Sequence, residues 1–243
     1  MGTIIETDAD VADTGEIITP AVQALAWYDL GESAALSLRN LADPANAPAL
    51  VNAFAGADGY MTLGGNSGNA RINTRIQPPD GFTAFLVVRR SEGSPSTDVR
   101  FFSNYSSVAG VNSGATIRFP AAGGIAYSHG AGGTALVGSV PATDPPMDPY
   151  EWRLLVINVD AGATMGVRDL TDGVGNLSGL GITTGLPPVA PIWLGSNPVP
   201  VTGGLVDIAI AAIYPGDLSA AQIDEVASFI RSEIEIKMPG VAV

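Results

Sequence analysis

The sequence contains no cysteine, and this absence excludes several kinds of chemistry at once. A disulfide framework, a cysteine-based metal site and a cysteine nucleophile all require a thiol. Disulfides are common in secreted β-sandwiches, so their absence favours folding in a reducing compartment. With 243 residues, the chain is long enough to bury a stable core without covalent cross-links.

Basic residues are also scarce, with 11 Lys and Arg against 24 Asp and Glu and a net charge of -13. Nucleic-acid binding needs clustered Lys and Arg for phosphate contacts, so we expect no nucleic-acid partner. Attraction to anionic lipid is disfavoured for the same reason. Most arginines lie between Arg71 and Arg168, so the middle of the chain is less acidic than its ends.

A long apolar run of the kind that exports or anchors a protein is missing. The first residues show no basic region followed by an apolar core, which predicts no signal peptide. The uncharged stretch 173–206 is interrupted throughout by glycine and proline, so it cannot form a membrane helix. We therefore expect no membrane insertion.

Glycine and proline are abundant instead, at 30 and 18 residues, and they separate short apolar segments. About ten segments have strand patterns and are not interleaved with helices, which predicts an antiparallel arrangement. Segment 82–90 is apolar on both faces, which is typical of a central strand. The predicted fold is all-β: an antiparallel β-sandwich or jelly roll. The predicted strands are 25–30, 60–63, 71–76, 82–90, 99–102, 115–119, 124–127, 151–160, 164–169, 192–194 and 205–214.

One helix is predicted near the C-terminus. Ser219 is a good N-cap, and Gln222 three residues later completes a capping box. Five apolar residues then repeat at helical spacing and form one stripe, which predicts a helix laid on a sheet. These residues are Ile223, Val226, Ala227, Ile230 and Ile234.

The N-terminal segment differs from the rest of the chain. Residues 1–19 contain five acidic residues, no basic residue and no sustained periodicity, and Pro20 follows. We interpret residues 1–20 as an extended arm, residues 21–236 as one domain and residues 237–243 as a tail. The arm is a candidate for docking the domain on a larger assembly.

Three segments, taken in order, resemble a known domain family. Segment 25–30 reads L-A-W-Y-D-L, and 151–160 reads E-W-R-L-L-V-I-N-V-D, with Trp152 at the family's tryptophan position. Segment 191–234 ends with a strand, a Pro-Gly-Asp turn and the helix. The chain thus resembles laminin-G-like and concanavalin A-like lectin-glucanase jelly rolls, of the kind found in phage tail, fibre and decoration proteins. The family includes lectins, adhesins and glycoside hydrolases, so the resemblance implies a fold and leaves function open.

Catalytic patterns are weak. Glucanases of this fold carry paired carboxylates on one strand, as in Glu-x-Asp-x-x-Glu, and no such run occurs here. Asp224 and Glu225 are adjacent on the predicted helix, where they point apart. His129 is the only histidine, and no Gly-x-Ser-x-Gly motif accompanies it. We therefore predict that the protein is not an enzyme.

Sugar binding would use an exposed aromatic ring beside polar side chains that meet the sugar hydroxyls. Asn104 with Tyr105, and Tyr127 with His129, are the predicted ligand-binding residues, and we expect them on loops. The three tryptophans lie on predicted strands and are interpreted as core: Trp27, Trp152 and Trp193.

No cofactor is predicted, although the resemblance brings calcium into consideration because relatives often bind it at the sandwich rim. Calcium prefers oxygen ligands, and six Asp and Asn residues stand in loop contexts. They show no defining spacing, and Asp and Asn are also ordinary turn residues. These residues are Asp58, Asn66, Asn104, Asp160, Asp169 and Asp172.

The function that these observations favour is a non-catalytic virion structural protein, for particle decoration or host-surface glycan recognition. A virion component is assembled in the host cytoplasm and released by lysis, which reconciles a surface-recognition fold with the lack of an export signal. Its partners would be other virion proteins, bound through the arm, and further copies in a homo-oligomer or array. The alternatives are a bacterial lectin or adhesin module and a glycoside hydrolase with an unrecognised site.

Overall fold

The strands and helices follow one another along most of the chain. The computed structural model describes residues 23–31, 33–52, 55–57, 59–64, 69–78, 81–94, 97–108, 111–132, 134–140, 147–160, 164–181, 190–198 and 203–243. The elements are, in chain order, β1 (Ala26–Asp29), α1 (Ala34–Ser37), β2 (Ala49–Val51), β3 (Ala55–Ala57), β4 (Tyr60–Gly64), β5 (Arg71–Asn73), β6 (Gly81–Arg90), β7 (Val99–Ser103), β8 (Ser106–Val108), β9 (Val111–Phe119), β10 (Ala126–Gly132), β11 (Thr134–Ser139), β12 (Arg153–Asp160), β13 (Thr164–Asp169), β14 (Val174–Gly181), β15 (Trp193–Leu194), β16 (Leu205–Pro215) and α2 (Ala220–Lys237).

The strands form two antiparallel sheets. In the first sheet the order is β14-β13-β12-β6-β16-β4-β3, and β1 also pairs with β16. In the second sheet the order is β11-β10-β9-β7-β15-β5-β2, and β8 pairs with β9. The chain repeatedly changes sheet, since β4 and β6 belong to the first and β5 and β7 to the second. The all-β antiparallel sandwich with one C-terminal helix is thus confirmed.

Strand β6 occupies the centre of the first sheet, as its sequence predicts. It lies between β12 and β16, and both of its faces are buried. Phe82 and Leu86 point into the space between the sheets, whereas Phe85 and Val87 point to the outer side. Alternation along a strand sends neighbouring side chains to opposite faces, so a strand buried on both sides must be apolar throughout.

Aromatic and aliphatic side chains fill the space between the sheets. Phe82 and Phe102 lie with ring centroids 6.0 Å apart across this core, and Phe101 and Phe119 lie 4.7 Å apart. A bulge in β7 between Arg100 and Phe102 changes its register with β9. The bulge lets both Phe101 and Phe102 join the core.

A buried arginine links the two sheets at one end. Arg90, at the end of β6, is 2% exposed. Its Nη2 donates to the carbonyls of Phe119 at 3.2 Å and Pro120 at 2.8 Å, in and just after β9. Its Nη1 donates to the carbonyl of Thr97 at 3.2 Å. The fork of guanidinium donors thus joins β6 to the end of the second sheet.

Helix α2 covers the outer face of the first sheet. The predicted capping box is present: Ser219 Oγ accepts from the Gln222 amide, and Gln222 Oε1 accepts from the Ser219 amide at 2.9 Å. The five predicted stripe residues are buried, and they pack with Phe85, Val87 and Trp27 in a second apolar cluster. The sequence-based prediction of a helix laid on a sheet is confirmed.

The segment after α2 packs back on the domain. Lys237 at the end of the helix pairs with Asp29, and its Nζ donates to the Leu30 carbonyl at 2.6 Å. Arg231 Nε donates to the backbone oxygen of Val243 at 2.7 Å. None of the described helices has the length and apolarity needed to cross a membrane.

The predicted arm, residues 1–20, lies outside the described residues. Its role in docking, and the predicted division of the chain at residue 20, stay predictions.

Candidate functional site

The outer faces of the two sheets differ. Side chains on the outer face of the first sheet form an apolar cluster with α2. In the second sheet, Ile72, Leu194 and Ile117 point inward and belong to the core. Their neighbours along each strand therefore point outward. These outward side chains join neither apolar cluster in the described part of the chain.

Strand pairing aligns the outward residues of the second sheet in rows. One row crosses seven of the eight strands of the sheet, all except β8, and we name it the Trp193 row. Trp193, Asn73 and Ser128 are partly exposed. The row therefore presents an aromatic ring among amide and hydroxyl groups. Its members are Ala49, Asn73, Trp193, Ser103, Thr116, Ser128 and Val137.

The interpretation of Trp193 as a core residue is wrong. Strand β15 contains two residues, and Leu194 is the one that enters the core. Trp193 therefore points outward, opposite Asn73 on one side and Ser103 on the other. The other tryptophans are buried as predicted, since Trp27 and Trp152 are 2% and 9% exposed.

A second row of outward residues carries positive charge. Arg71 lies two residues before Asn73 on β5, while Arg100 and Arg118 pair directly between β7 and β9. Since β5 and β7 run in the same direction, all three arginines lie on the same side of the Trp193 row. We name them the arginine row. The strands of this sheet contain these three arginines and no Asp or Glu.

Arg71 stacks on Trp193. Its guanidinium carbon lies 5.2 Å from the centre of the indole ring, within cation–π range. The Nε and Nη1 atoms are buried and have no hydrogen-bond partner among the described residues. A guanidinium carries five donors and is normally hydrogen-bonded when it is withdrawn from water. Within the described ranges, Arg71 is therefore a cation without a counter-charge beside the partly exposed tryptophan.

The other two arginines share one acidic neighbour. Arg118 forms an ion pair with Asp98, which lies just before β7. Burial, followed by the nearby charge of Arg118, lowers the pKa of Arg100, while Asp98 opposes this effect. Asp98 offsets only part of the positive charge of the arginine row.

The middle of the Trp193 row is a hydrogen-bonded cluster. Thr116 Oγ1 donates to Asn197 Oδ1 at 2.9 Å and lies within hydrogen-bond distance of Ser103 Oγ, at 2.6 Å. All three side chains are buried. Asn197 follows β15, so the loop after Trp193 lies over the centre of the sheet. This loop sets one boundary of the exposed surface around Trp193.

Asn104 and Tyr105 lie where β7 ends and β8 begins, as the prediction of a loop position requires. Asn104 is 1% exposed, and its Oδ1 accepts from the Ala115 amide at 2.7 Å. The opposite residue, Gly114, has a φ of 81°, and a Cβ there would collide with Asn104. Asn104 thus completes the backbone pairing of β9, while Tyr105 is partly exposed beside Ser103.

Tyr127 and His129 do not lie on a loop: both are on β10 and point between the sheets. Their partners on β9 are the core residues Ile117 and Ala115, which fixes this direction. Tyr127 is 4% exposed, and a Cβ on Gly138 or Gly179 would collide with its ring or hydroxyl. Burial raises the pKa of Tyr127.

His129 is 5% exposed, and burial lowers its pKa. Its Nδ1 has no hydrogen-bond partner within the described ranges. Ala115 connects it to Asn104, because Ala115 pairs with His129 and donates its amide to Asn104. The structure therefore brings Asn104 and His129 to one strand position and leaves only Tyr105 partly exposed. Ligand binding by the four predicted residues stays a prediction.

Three of the residues considered for calcium are engaged in other contacts, and one of them is Asn104, whose contact is given above. Asp169 Oδ1 accepts from the Thr171 amide at 2.9 Å, and Asp172 pairs with Arg153. Burial raises the pKa of Asp169. In the portion of the chain covered by the structure, no three His, Asp or Glu side chains are grouped to hold a metal ion. Asp58 and Asn66 lie outside the described residues.

A second arginine–tryptophan pair lies on the first sheet. Arg89 lies 4.8 Å from the ring centre of Trp152 and 5.3 Å from that of Tyr60. Its Nε donates to Asp207 Oδ2 at 3.0 Å, and Thr62 donates to Asp207 Oδ1 at 2.8 Å. This pair has an acidic partner, whereas no described acidic residue pairs with Arg71.

The sheet order and closing helix define an antiparallel β-sandwich that fits a jelly roll. No protein-family model and no curated protein matches the sequence. Solved structures share the fold. A botulinum neurotoxin type C structure, from work on cell uptake through two ganglioside molecules, has a TM-score of 0.60 and 11% identity, over 86% of this chain and 51% of that one.

Two further structures extend this likeness. The botulinum neurotoxin serotype D ligand-binding domain in complex with N-acetylneuraminic acid has a TM-score of 0.56 and 9% identity, over 85% of this chain and 51% of that one. A Trypanosoma rangeli sialidase mutant displaying trans-sialidase activity has a TM-score of 0.62 and 13% identity, over 87% of this chain and 33% of that one. The chain spans about half the length of the toxin structures and a third of the sialidase. At these identities the likeness shows the fold alone.

Proposed function

We propose that this protein is a non-catalytic carbohydrate-recognition module that binds a glycan on the outer face of the second sheet. The observation that carries the proposal is the outward position of Trp193. It is partly exposed in a row with Asn73 and Ser128, on a face whose side chains join neither apolar cluster.

The side chains of this row have the chemistry that sugars require. A sugar ring has an apolar face that packs on an aromatic ring, and hydroxyl groups that need hydrogen-bond donors and acceptors. Trp193 supplies the aromatic surface, and Asn73 on the neighbouring strand supplies a polar group. Both neighbours of β15 hold Trp193 in register, so the ring is fixed on a rigid sheet.

The structures that share this fold add support. One concerns an interaction with ganglioside molecules, and another is a complex with N-acetylneuraminic acid. Both ligands are carbohydrates or carry them. The support is general, because each likeness covers about half of the neighbour's chain.

A flat site on a sheet face gains few contacts with a flexible sugar, so the affinity of one site should be about millimolar. Several copies in an array would raise the apparent affinity by about 10²–10⁴ through effective concentration. We therefore propose that the module works in multiple copies. A virion, with docking through the arm, stays the predicted setting, and detection of the chain in purified particles would test it.

A glycan array probed with the full chain tests the proposal. The Trp193→Ala variant should lose at least about tenfold in binding to the best glycan, at unchanged melting temperature. Tyr150→Ala is the matched control, because Tyr150 is an exposed aromatic residue that lies just before β12 in the first sheet. Equal binding by wild type and Trp193→Ala would contradict the site. Release of reducing sugar from the bound glycan would instead support the glycoside-hydrolase alternative.

A further inference from the structure

We propose that the glycan carries a carboxylate, which the arginine row recognises with Arg71 as the principal contact. This inference rests on the proposed function and specifies the ligand class of the same site.

The distribution of charge is the first argument. The protein has a net charge of -13, yet the strands of the second sheet hold three arginines and no acidic residue. All three arginines point to the outer face, on one side of the Trp193 row. The positive charge attracts an anion to this face, whereas the acidic remainder of the protein repels it.

The state of Arg71 is the second argument. Two of its nitrogens are buried without a hydrogen-bond partner in the described residues. Withdrawing a cation from water without a counter-charge is unfavourable. By contrast, Arg89 and Arg153, in the first sheet, both pair with carboxylates. A ligand carboxylate at Arg71 would supply the missing partner, and a planar guanidinium matches its geometry.

Arg100 and Arg118 add further positive charge on the same face as Arg71. The guanidinium of Arg118 pairs with Asp98, whereas Arg100 forms no ion pair in the part of the chain that the structure describes. Arg100 also lies close enough to Arg118 to be affected by its charge. A bound carboxylate would reduce this repulsion.

Arg71 and Trp193 lie close enough for one sugar residue to contact both. The guanidinium carbon of Arg71 is 5.2 Å from the centre of the indole ring. A sugar ring on Trp193 can therefore direct an acidic substituent to the arginine row. N-acetylneuraminic acid is a sugar with this chemistry, and it is the ligand in one of the structures that share the fold. We choose a carboxylate over sulfate or phosphate because of this example.

The test compares three immobilised probes at equal density: sialyllactose, its methyl ester and lactose. The ester keeps the shape of sialyllactose and removes its charge. Full-length wild-type protein should bind sialyllactose at least about tenfold more strongly than the ester or lactose. The preference should weaken between 50 and 500 mM salt, because screening shortens the range of charge interactions.

Variants separate the inference from the proposed function. Arg71→Gln should abolish the preference for sialyllactose over its ester, while binding to the ester through Trp193 is kept. Arg168→Gln is the matched control, since it removes the same charge from an exposed position on β13 in the first sheet. It should leave the preference intact.

The remaining outcomes contradict either the inference alone or the proposed function as well. Equal binding of sialyllactose and its ester, or a preference that survives in Arg71→Gln and Arg100→Gln, would overturn the inference and leave the proposed function standing. Stronger, Arg71-dependent binding to heparin or polyphosphate would overturn the carboxylate assignment. Binding of all probes unchanged in Trp193→Ala, or no binding to any of them, would overturn the proposed function and this inference with it.

Discussion

The molecule contains two arginine–tryptophan stacks, and their surroundings differ. On the first sheet, Arg89 packs on Trp152 and is held by Asp207, which Thr62 holds in turn. On the second sheet, Arg71 packs on Trp193 with no acidic partner among the described residues. The arginine of the first stack is therefore neutralised by a carboxylate of the protein. The arginine of the second stack carries a positive charge that no described acidic residue neutralises.

The two sheets differ in whether another part of the protein packs on their outer face, and this explains the difference between the two stacks. Helix α2 and the segment after it cover the outer face of the first sheet, so charges near that face need partners within the protein. The outer face of the second sheet keeps Trp193, Asn73 and Ser128 partly exposed. A ligand can reach this face, and for that reason we place function there.

A large loss of stability is expected when the carboxylate that pairs with Arg89 is removed. Asp207→Ala removes the buried partner of Arg89 and should lower the free energy of unfolding by about 3 kcal/mol, because the largely buried guanidinium keeps only the exposed Glu92, 3.6 Å away, as an acidic partner. Arg71→Gln should change the stability by less than about 1 kcal/mol, since only the cation–π contact is lost. Urea unfolding measures both.

A second substitution tests whether the charge of Arg89 causes the loss of stability in Asp207→Ala. Adding Arg89→Gln to Asp207→Ala should restore part of the stability, because the unpaired charge is then removed. A double variant as unstable as the sum of the two single changes would contradict the pairing argument.

Ile230→Ala and Val137→Ala compare the outer face of the first sheet, which α2 covers, with the outer face of the second sheet. Ile230 is fully buried under α2, and its truncation should lower the free energy of unfolding by about 2–4 kcal/mol. Val137→Ala, at a position 59% exposed on the outer face of the second sheet, should change it by less than about 0.5 kcal/mol. A neutral Ile230→Ala in denaturant melts would show that α2 does not stabilise the first sheet.

The N-cap of α2 has a smaller effect. Ser219→Ala removes an acceptor for the Gln222 amide and should reduce the unfolding free energy by about 1 kcal/mol. Ser232→Ala is the control, because Ser232 is exposed in the middle of the helix and alanine is the better helix former. Thermal melts in which both variants lose the same stability would argue against the capping box.

The smallest effect concerns the pH dependence of stability. Burial lowers the pKa of His129, so the unfolded chain takes up its proton before the native state does. The contribution of His129 to stability is complete above the unfolded pKa of about 6.5 and is lost as the pH falls below it. Asp169 and Glu233 have pKa values raised by burial, and their contribution runs in the opposite direction.

The His129→Gln variant isolates this contribution, because the two carboxyls are common to both proteins. Between pH 7 and pH 5.5, wild type should lose more unfolding free energy than His129→Gln. Parallel curves would mean that His129 is protonated in the native state as readily as in the unfolded chain.

Periodicity predicted much of the fold. The apolar run of β6 and the stripe of α2 each extend over enough residues to define a face, and both are confirmed. Five strands are not predicted, because they are short or contain glycine and serine, which weaken the alternation: β2, β3, β8, β11 and β14. These strands are formed by pairing with their neighbours rather than by local preference.

The site was harder to predict because it depends on register. A two-residue strand has no periodicity, so nothing in the sequence alone shows that Trp193 points outward and Leu194 inward. The inward direction of Tyr127 and His129 likewise follows from their pairing with Ile117 and Ala115. The concentration of arginines in the middle of the chain was visible, but their alignment in one row required the strand order.

The most direct test follows the three tryptophans of the chain during ligand binding. Each indole N–H gives one signal in a ¹H–¹⁵N correlation spectrum, and Trp→Phe variants assign them. On titration with sialyllactose, the signal of Trp193 should shift, while those of Trp27 and Trp152 should stay in place. A shift confined to Trp152 or Trp27, or binding that moves none of the three, would contradict the assignment of function to the outer face of the second sheet.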